Sequence, residues 1–221
     1  MTATARTPEA PAGSPGPSVP PPGFRYLPGY LDKAQQARLA SIVEAVSAEA
    51  PFFRPTMPKS GRPFSVEMTN AGRTGWISDR AGYRYCELHP QTGRPWPPIA
   101  REVLDIWHAV TGYPAPAECC LVNYYAHGAR MGLHQDRDET DFAAPVVSIS
   151  LGDSAIFRIG GHSRRGATRS MKIYSGDIVV LGGEARLAFH GIDRVLAGSS
   201  RLLPQGGRIN LTLRRVSRPV A

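Results

Sequence analysis

One short stretch and one distal residue carry side chains whose types and spacing could hold a metal. In "HQD", His134 and Asp136 stand two apart. Residues two apart in extended backbone face the same way, so an imidazole and a carboxylate could meet one ion there. His190, in "AFHGI" at a strand end, is the candidate third ligand. Two histidines and one carboxylate form a facial set that suits Fe(II) and leaves positions open for a cosubstrate and O2. H-x-D is a short pattern, however. His89, His108, His127 and His162 show that histidine occurs in this chain without such a role.

A second pattern lies near the end, in "RINLTLR" from Arg208 to Arg214. Read as a strand, it puts Ile209, Leu211 and Leu213 on one face and Arg208, Asn210, Thr212 and Arg214 on the other. The polar face has two readings. It can be a solvated outer face, or an inner face that holds a small dicarboxylate, since arginine suits bidentate carboxylate recognition. Asn123 and Tyr125, in "LVNYYAHG", share a face one strand before the H-x-D loop. They are either core-edge polar groups with local partners or hydrogen-bond donors to the same anion.

These residues need a frame. Asp32 can cap a helix whose apolar residues Leu39, Ile42, Val43 and Val46 recur at helical spacing, with Pro51 ending the run. A second helix is expected from about Pro97 to Ala109, with Trp107 in its apolar stripe and Gly112 as its stop. From Glu118 the pattern becomes strands: residues 119–125, 145–151, 155–160, 170–174, 177–182, 186–191 and 208–216. Turn residues separate them, so the fold class is mainly β with flanking helices, a sandwich or jelly roll. Residues 55–90 are dense in Gly, Pro, Arg and aromatics, and a stretch of that kind in a compact domain is usually functional. Residues 1–23 are rich in Pro, Ala, Ser, Thr and Gly, and are expected to form a disordered tail.

The bulk numbers bound the partners. The 221 residues suit one domain plus a tail, and the net charge of +8 attracts polyanions. Only Lys33, Lys59 and Lys172 are lysines, so the charge is nearly all arginine. The three cysteines, Cys86, Cys119 and Cys120, have no paired spacing, which argues against a disulfide framework or a zinc ribbon. No apolar stretch approaches membrane-spanning length and no signal-peptide core is visible. The expectation is a reduced, cytoplasmic protein that does not enter membranes.

The order of the motifs is more specific than any one of them. "NYYAHGARMGLHQDRDE", "APVVSISLG", "AIFRIGG", "GDIVVLGGEARLAFHG" and "RINLTLR" follow one another, with "MTNAGRTGW" and "GYRY" upstream. Over roughly Tyr26 to Val216 the chain resembles the Fe(II)/2-oxoglutarate-dependent dioxygenases, and among them the AlkB family of nucleic acid demethylases. The resemblance implies a double-stranded β-helix core over about 118–216 within one domain at 24–217, and a nucleotide-recognition lid over about 55–90. It implies Fe(II) on His134, Asp136 and His190. It places Arg208 on the distal carboxylate of 2-oxoglutarate, helped by Tyr125 and Asn123, and Asn210 and Arg214 at its 2-oxo acid end. Trp76 would stack on a flipped-out methylated base with His134 opposite, and Asp138 would accept from its exocyclic amine. Tyr83, Arg164 and Arg165 would touch phosphates or the base edge, and Met68 would line the pocket. Leu181 stands where many bacterial members carry a bulkier aromatic.

The implied activity is oxidative demethylation of 1-methyladenine and 3-methylcytosine in DNA, with RNA a further candidate. It consumes 2-oxoglutarate and O2 and releases succinate, CO2 and formaldehyde. The implied protein is a monomer. Two other readings remain: the same cofactors acting on tRNA or another non-DNA substrate, and a non-catalytic jelly-roll binding module.

Overall fold

A computed structural model describes residues 19–219. Most of the expected tail, residues 1–18, lies outside the described residues. The elements begin with strand β1 (Phe24–Leu27) and helix α1 (Lys33–Glu49). Asp32 caps α1: its Oδ1 accepts from the Gln35 amide at 2.7 Å, and the Gln35 side chain accepts from the Asp32 amide at 2.9 Å. This reciprocal pair satisfies two of the orphan donors at the helix start. Three strands follow, β2 (Glu67–Gly72), β3 (Gly75–Asp79) and β4 (Gly82–Cys86). Helix α2 (Arg101–Thr111) begins later than the pattern suggested. Pro98 disfavours helical backbone at Pro97, and Ala100 is still extended, with ψ at 146°. Gly112 closes α2 in the left-handed region at φ 61°.

The remaining strands are β5 (Cys119–Tyr125), β6 (Met131–His134), β7 (Val146–Gly152), β8 (Ala155–Gly160), β9 (Thr168–Ile173), β10 (Ile178–Leu181), β11 (His190–Val195) and β12 (Arg208–Arg214). The stretch 186–191 is not the strand its sequence suggests. Gly183–Leu187 forms a short 3-10 helix, η1, and β11 starts only at His190. Tertiary bonds decide this, because the Arg186 side chain in η1 is bonded to the segment between β6 and β7.

Two sheets face each other. The larger runs β1-β10-β7-β12-β5-β2 and the smaller β6-β11-β8-β9, while β3 and β4 pair only with one another. One face of the larger sheet, with Val122, Ile149, Leu211 and Leu213, packs on Leu39 and Val43 of α1 and Trp107 and Val110 of α2. Its other face, with Leu121, Tyr125, Val179 and Leu181, packs toward Phe157, Ile159 and Ile192 of the smaller sheet. All of β12 is therefore buried, polar face included. That settles the two readings of "RINLTLR" in favour of an inner face. Cys119 and Cys120 are buried and unpaired, and Trp107 is wholly in the core. Among the described residues no helix is long and apolar enough to cross a membrane.

Candidate active site

The smaller sheet sets the two histidines side by side. Strands β6 and β11 are antiparallel, and His134 is the register partner of His190. Their ring centroids lie 4.5 Å apart. Asp136 follows in the loop after β6, and one donor atom from each of the three residues lies within 4.8 Å of the others. The ring orientations fit a metal. His134 Nδ1 is 2.9 Å from the Gly132 carbonyl and His190 Nδ1 is 2.9 Å from the Ala188 carbonyl. A carbonyl can only accept, so each Nδ1 carries a hydrogen and Nε2 is the ring nitrogen left to face an ion. Asp136 Oδ1 accepts from Arg214 Nη2 at 2.6 Å, while its buried Oδ2 has no hydrogen-bond partner among the described residues.

The electrostatics hold this donor set ready. Burial would raise the Asp136 carboxyl, but Arg214, His190 and His134 beside it hold it well below the usual carboxylate range. Burial, reinforced by the neighbouring His134, pushes His190 down to about 4, so its imidazole is neutral at pH 7.

At the other end of β12, Arg208 is 1% exposed. One Nη2 bond goes to Ser150 Oγ at 3.0 Å, but Nε and Nη1 have no acceptor among the described residues. The guanidinium sits over the Tyr125 ring, 5.2 Å from its centroid. Burial lowers its pKa. A buried cation with open donors is costly unless an anion completes it. Asn123 Oδ1, also buried, is unpaired too. Asn210 is more committed. Its amide nitrogen donates to Ser148 Oγ at 2.7 Å and the Ile149 carbonyl at 3.0 Å, and its oxygen accepts from Thr212 at 2.8 Å. Ser148 and Ser150, which the sequence reading passed over, follow the period-2 alternation of "VVSIS" onto this inner face.

Arg214 has partners that the sequence did not show. Besides Asp136, its Nε is 3.6 Å from Glu139 Oε1. Tyr85 donates to Glu139 from the lid hairpin, and Arg186 Nη2 holds Glu139 Oε2 at 3.0 Å. The signal available was the density of carboxylates in "HQDRDE" and one arginine in the mostly apolar "EARLAFHG".

One cavity of about 560 Å³ collects the triad, Asn123, Tyr125, Arg208, Asn210 and Arg214, together with Met68, Trp76, Tyr83, Asp138, Arg164 and Leu181. Arg165 is exposed and not part of its lining, so of the expected arginine pair only Arg164 reaches it. The lid differs from the expectation in its contacts. Tyr83 stacks on Trp76, with centroids 5.6 Å apart and planes at 17°. Trp76 and Tyr83 are diagonal neighbours on one face of the β3–β4 hairpin, within reach for aromatic rings. Trp76 Nε1 donates to Asp138 Oδ2 at 2.7 Å. One Asp138 oxygen is thus already engaged by protein. Asn70, buried in β2, bonds the Trp76 amide and carbonyl at 3.0 and 3.2 Å and fixes that backbone.

The residues present fit Fe(II) and 2-oxoglutarate. Two imidazoles converge with a carboxylate that has a free oxygen, and an arginine with open donors lines the same cavity.

Comparison with known proteins agrees. Residues 23–214 match the 2OG-Fe(II) oxygenase superfamily. An alpha-ketoglutarate-dependent dioxygenase AlkB homolog of Caulobacter vibrioides is 55% identical, over 88% of this chain and 88% of that protein. Alpha-ketoglutarate-dependent dioxygenase AlkB of Escherichia coli is 41% identical, over 82% of this chain and 85% of that protein. The solved structure of OsALKBH1 superposes with a TM-score of 0.76 at 28% identity, over 90% of this chain and 99% of that one.

Proposed function

This chain belongs to the 2OG-Fe(II) oxygenase superfamily and is an Fe(II)- and 2-oxoglutarate-dependent dioxygenase, and from that premise we propose that it demethylates N-alkylated bases in nucleic acid, 1-methyladenine and 3-methylcytosine in DNA first among them. The observation that carries the proposal is the shared cavity. The metal triad and the open donors of Arg208 line the same space as Trp76, Tyr83 and Asp138. An aromatic platform and a carboxylate beside an oxidising centre suit a base taken out of its stack, and cationic methylated bases favour both. The net charge of +8 suits a polyanionic partner.

Fe(II), when bound, supplies the O2 chemistry that couples decarboxylation of 2-oxoglutarate to oxidation of the N-methyl group, which leaves as formaldehyde. The chain's own part is binding and orientation. His134, Asp136 and His190 hold the metal, Arg208 completes its donors on the distal carboxylate, and Tyr125 and Asn123 flank it. Asn210 and Arg214, which line the same cavity, meet the 2-oxo acid end of 2-oxoglutarate, while Asn210 also braces the strand that carries both arginines and Arg214 also orients Asp136. Met68 and Leu181 bound the space available to the alkylated base, and Arg164 at the cavity wall meets the nucleic acid backbone. We also read the chain as a cytoplasmic monomer, which light scattering and cell fractionation check.

The protein reconstituted anaerobically with Fe(II), 2-oxoglutarate and a 1-methyladenine oligonucleotide should release formaldehyde and succinate once O2 enters. Absence of product with metal bound overturns the proposal. Methylated single-stranded DNA, duplex DNA and RNA run side by side show whether RNA shares the site. Product from a methylated tRNA alone would transfer the activity to that substrate.

A further inference from the structure

We propose that Arg186 is a positioning residue for the metal triad, a buried clip that fastens the loop carrying Asp136 to the segment that leads into His190. The proposal rests on the iron reading above and adds a residue to it.

Arg186 lies in η1 and is 2% exposed. Its guanidinium makes three bonds: Nη1 to the Asp136 carbonyl at 2.6 Å, Nε to the Ala144 carbonyl at 2.9 Å, and Nη2 to Glu139 Oε2 at 3.0 Å. The acceptors span the connection between β6 and β7, which forms neither helix nor strand. That stretch has no ladder to fix it, and the guanidinium fork does the work of one. Gln135 closes the same seam, its amide donating to the Leu187 carbonyl at 2.6 Å. Arg186 stands four residues before His190 and grips the main chain of Asp136 itself. The spacing between two ligands is thereby set across the seam.

The grip is doubled. Glu139, held by Arg186, also faces Arg214, and Arg214 holds Asp136 Oδ1. Asp136 is fixed at its carbonyl by one arginine and at its carboxylate by the other. For filling space, an apolar side chain would serve without the desolvation cost of a buried guanidinium. Three acceptors arranged for a planar fork are what only arginine satisfies. No atom of Arg186 is among those lining the cavity, so it acts through Asp136 rather than on substrate.

Arg186→Lys keeps the charge and loses the fork. Its Kd for Mn(II), measured by calorimetry with 2-oxoglutarate present, should rise about tenfold or more, as for groups that orient metal ligands. Val110→Ala, in the helix-side core, is the control. It should lower the unfolding midpoint and leave the Mn(II) Kd unchanged. Wild-type Mn(II) affinity in Arg186→Lys, or a loss no greater than that of Val110→Ala at matched destabilisation, overturns the proposal. If Arg186→Lys does not fold, Glu139→Gln decides. It leaves Arg186 in place and removes the negative charge that faces Nη2, and it should weaken Mn(II) about tenfold. An unchanged Kd there overturns the clip. Wild-type protein that binds no Mn(II) overturns the iron reading itself, a result separable from any variant.

Discussion

Arg208 and Arg214 stand at opposite ends of one strand, on one face, and both are buried. Their surroundings are opposite. Arg214 is enclosed by protein carboxylates, Asp136 and Glu139. Arg208 has a serine, an aromatic face and open donors. A buried cation with its counter-charges in the fold belongs to the architecture, whereas one without them is completed from outside. The contrast supports a structural role for Arg214 at the metal end and, on the function proposed above, an anion-binding role for Arg208.

The sharpest way to break that contrast is to remove Arg214. Arg214→Met leaves Asp136 and Glu139 buried with fewer counter-charges. Stripping one partner from a buried ion pair costs about 3–5 kcal/mol, so urea unfolding of the metal-free protein should show a loss of that size. Stability within experimental error of wild type would mean that Arg214 is not structural.

Acid should attack the same end. His190 is depressed to about 4 by burial and by His134, while an unfolded histidine titrates near 6.5. Below about pH 6.5 the unfolded chain takes up a proton that the folded chain refuses, so stability falls as pH drops toward 4. The contribution approaches ~3 kcal/mol over that window. Asp136 acts in the same sense at lower pH, because its depressed carboxyl stabilises the fold above the unfolded pKa and that stability is lost on acidification. Metal-free His190→Gln should show a flatter stability profile between pH 4.5 and 7. An unchanged slope would mean that the imidazole is not held neutral.

Arg208 predicts the reverse pattern. Arg208→Met should leave metal-free stability equal to or above wild type, because an incompletely paired buried cation is removed. Its Kd for 2-oxoglutarate should rise about 100-fold, in line with losing one partner of a buried charge pair. If the variant loses both stability and affinity, the two ends of β12 are alike and the contrast is wrong.

The sequence made one half of this contrast readable. Alternation put all four polar side chains of β12 on one face, and H-x-D with a distal histidine marked the metal. Helix α1 and strands β5, β8 and β12 came close to their observed bounds because period and turn residues agreed there, and α2 was placed correctly apart from its late start. The other half depends on contacts between segments distant in the chain. Arg186 reaches the 136–144 loop, and Tyr85 reaches Glu139 from the lid. Neither pairing has a period. The same contacts hold Arg186 and Leu187 in a 3-10 turn, where the sequence pattern suggested the start of a strand. Strands β6 and β11 have no apolar alternation to mark them: β6 is four residues with a glycine and a histidine, and β11 carries a histidine, a glycine and two charges.

The lid provides the mildest perturbation of the strand. The β3–β4 hairpin pairs with no other strand, and Trp76 is only half-buried on it. Trp76 itself is tied to the frame by the Asn70 bonds to its backbone and the Asp138 bond to its indole, while Tyr85 and Ser78 tie the rest of the hairpin to Glu139 and Thr56. Trp76→Ala should shift metal-free stability by no more than about 1 kcal/mol, since neither arginine nor any triad residue leans on the indole. The Kd values for Mn(II) and 2-oxoglutarate should stay at wild type, and uncoupled turnover of 2-oxoglutarate should persist. Formaldehyde release from a methylated oligonucleotide should fall, with about 1–3 kcal/mol of base stacking lost. Repair undiminished in Trp76→Ala would remove the stacking role. A fall in 2-oxoglutarate affinity alongside it would show that the hairpin reaches the Arg208 end, through contacts that the paired and unpaired arginines do not reveal.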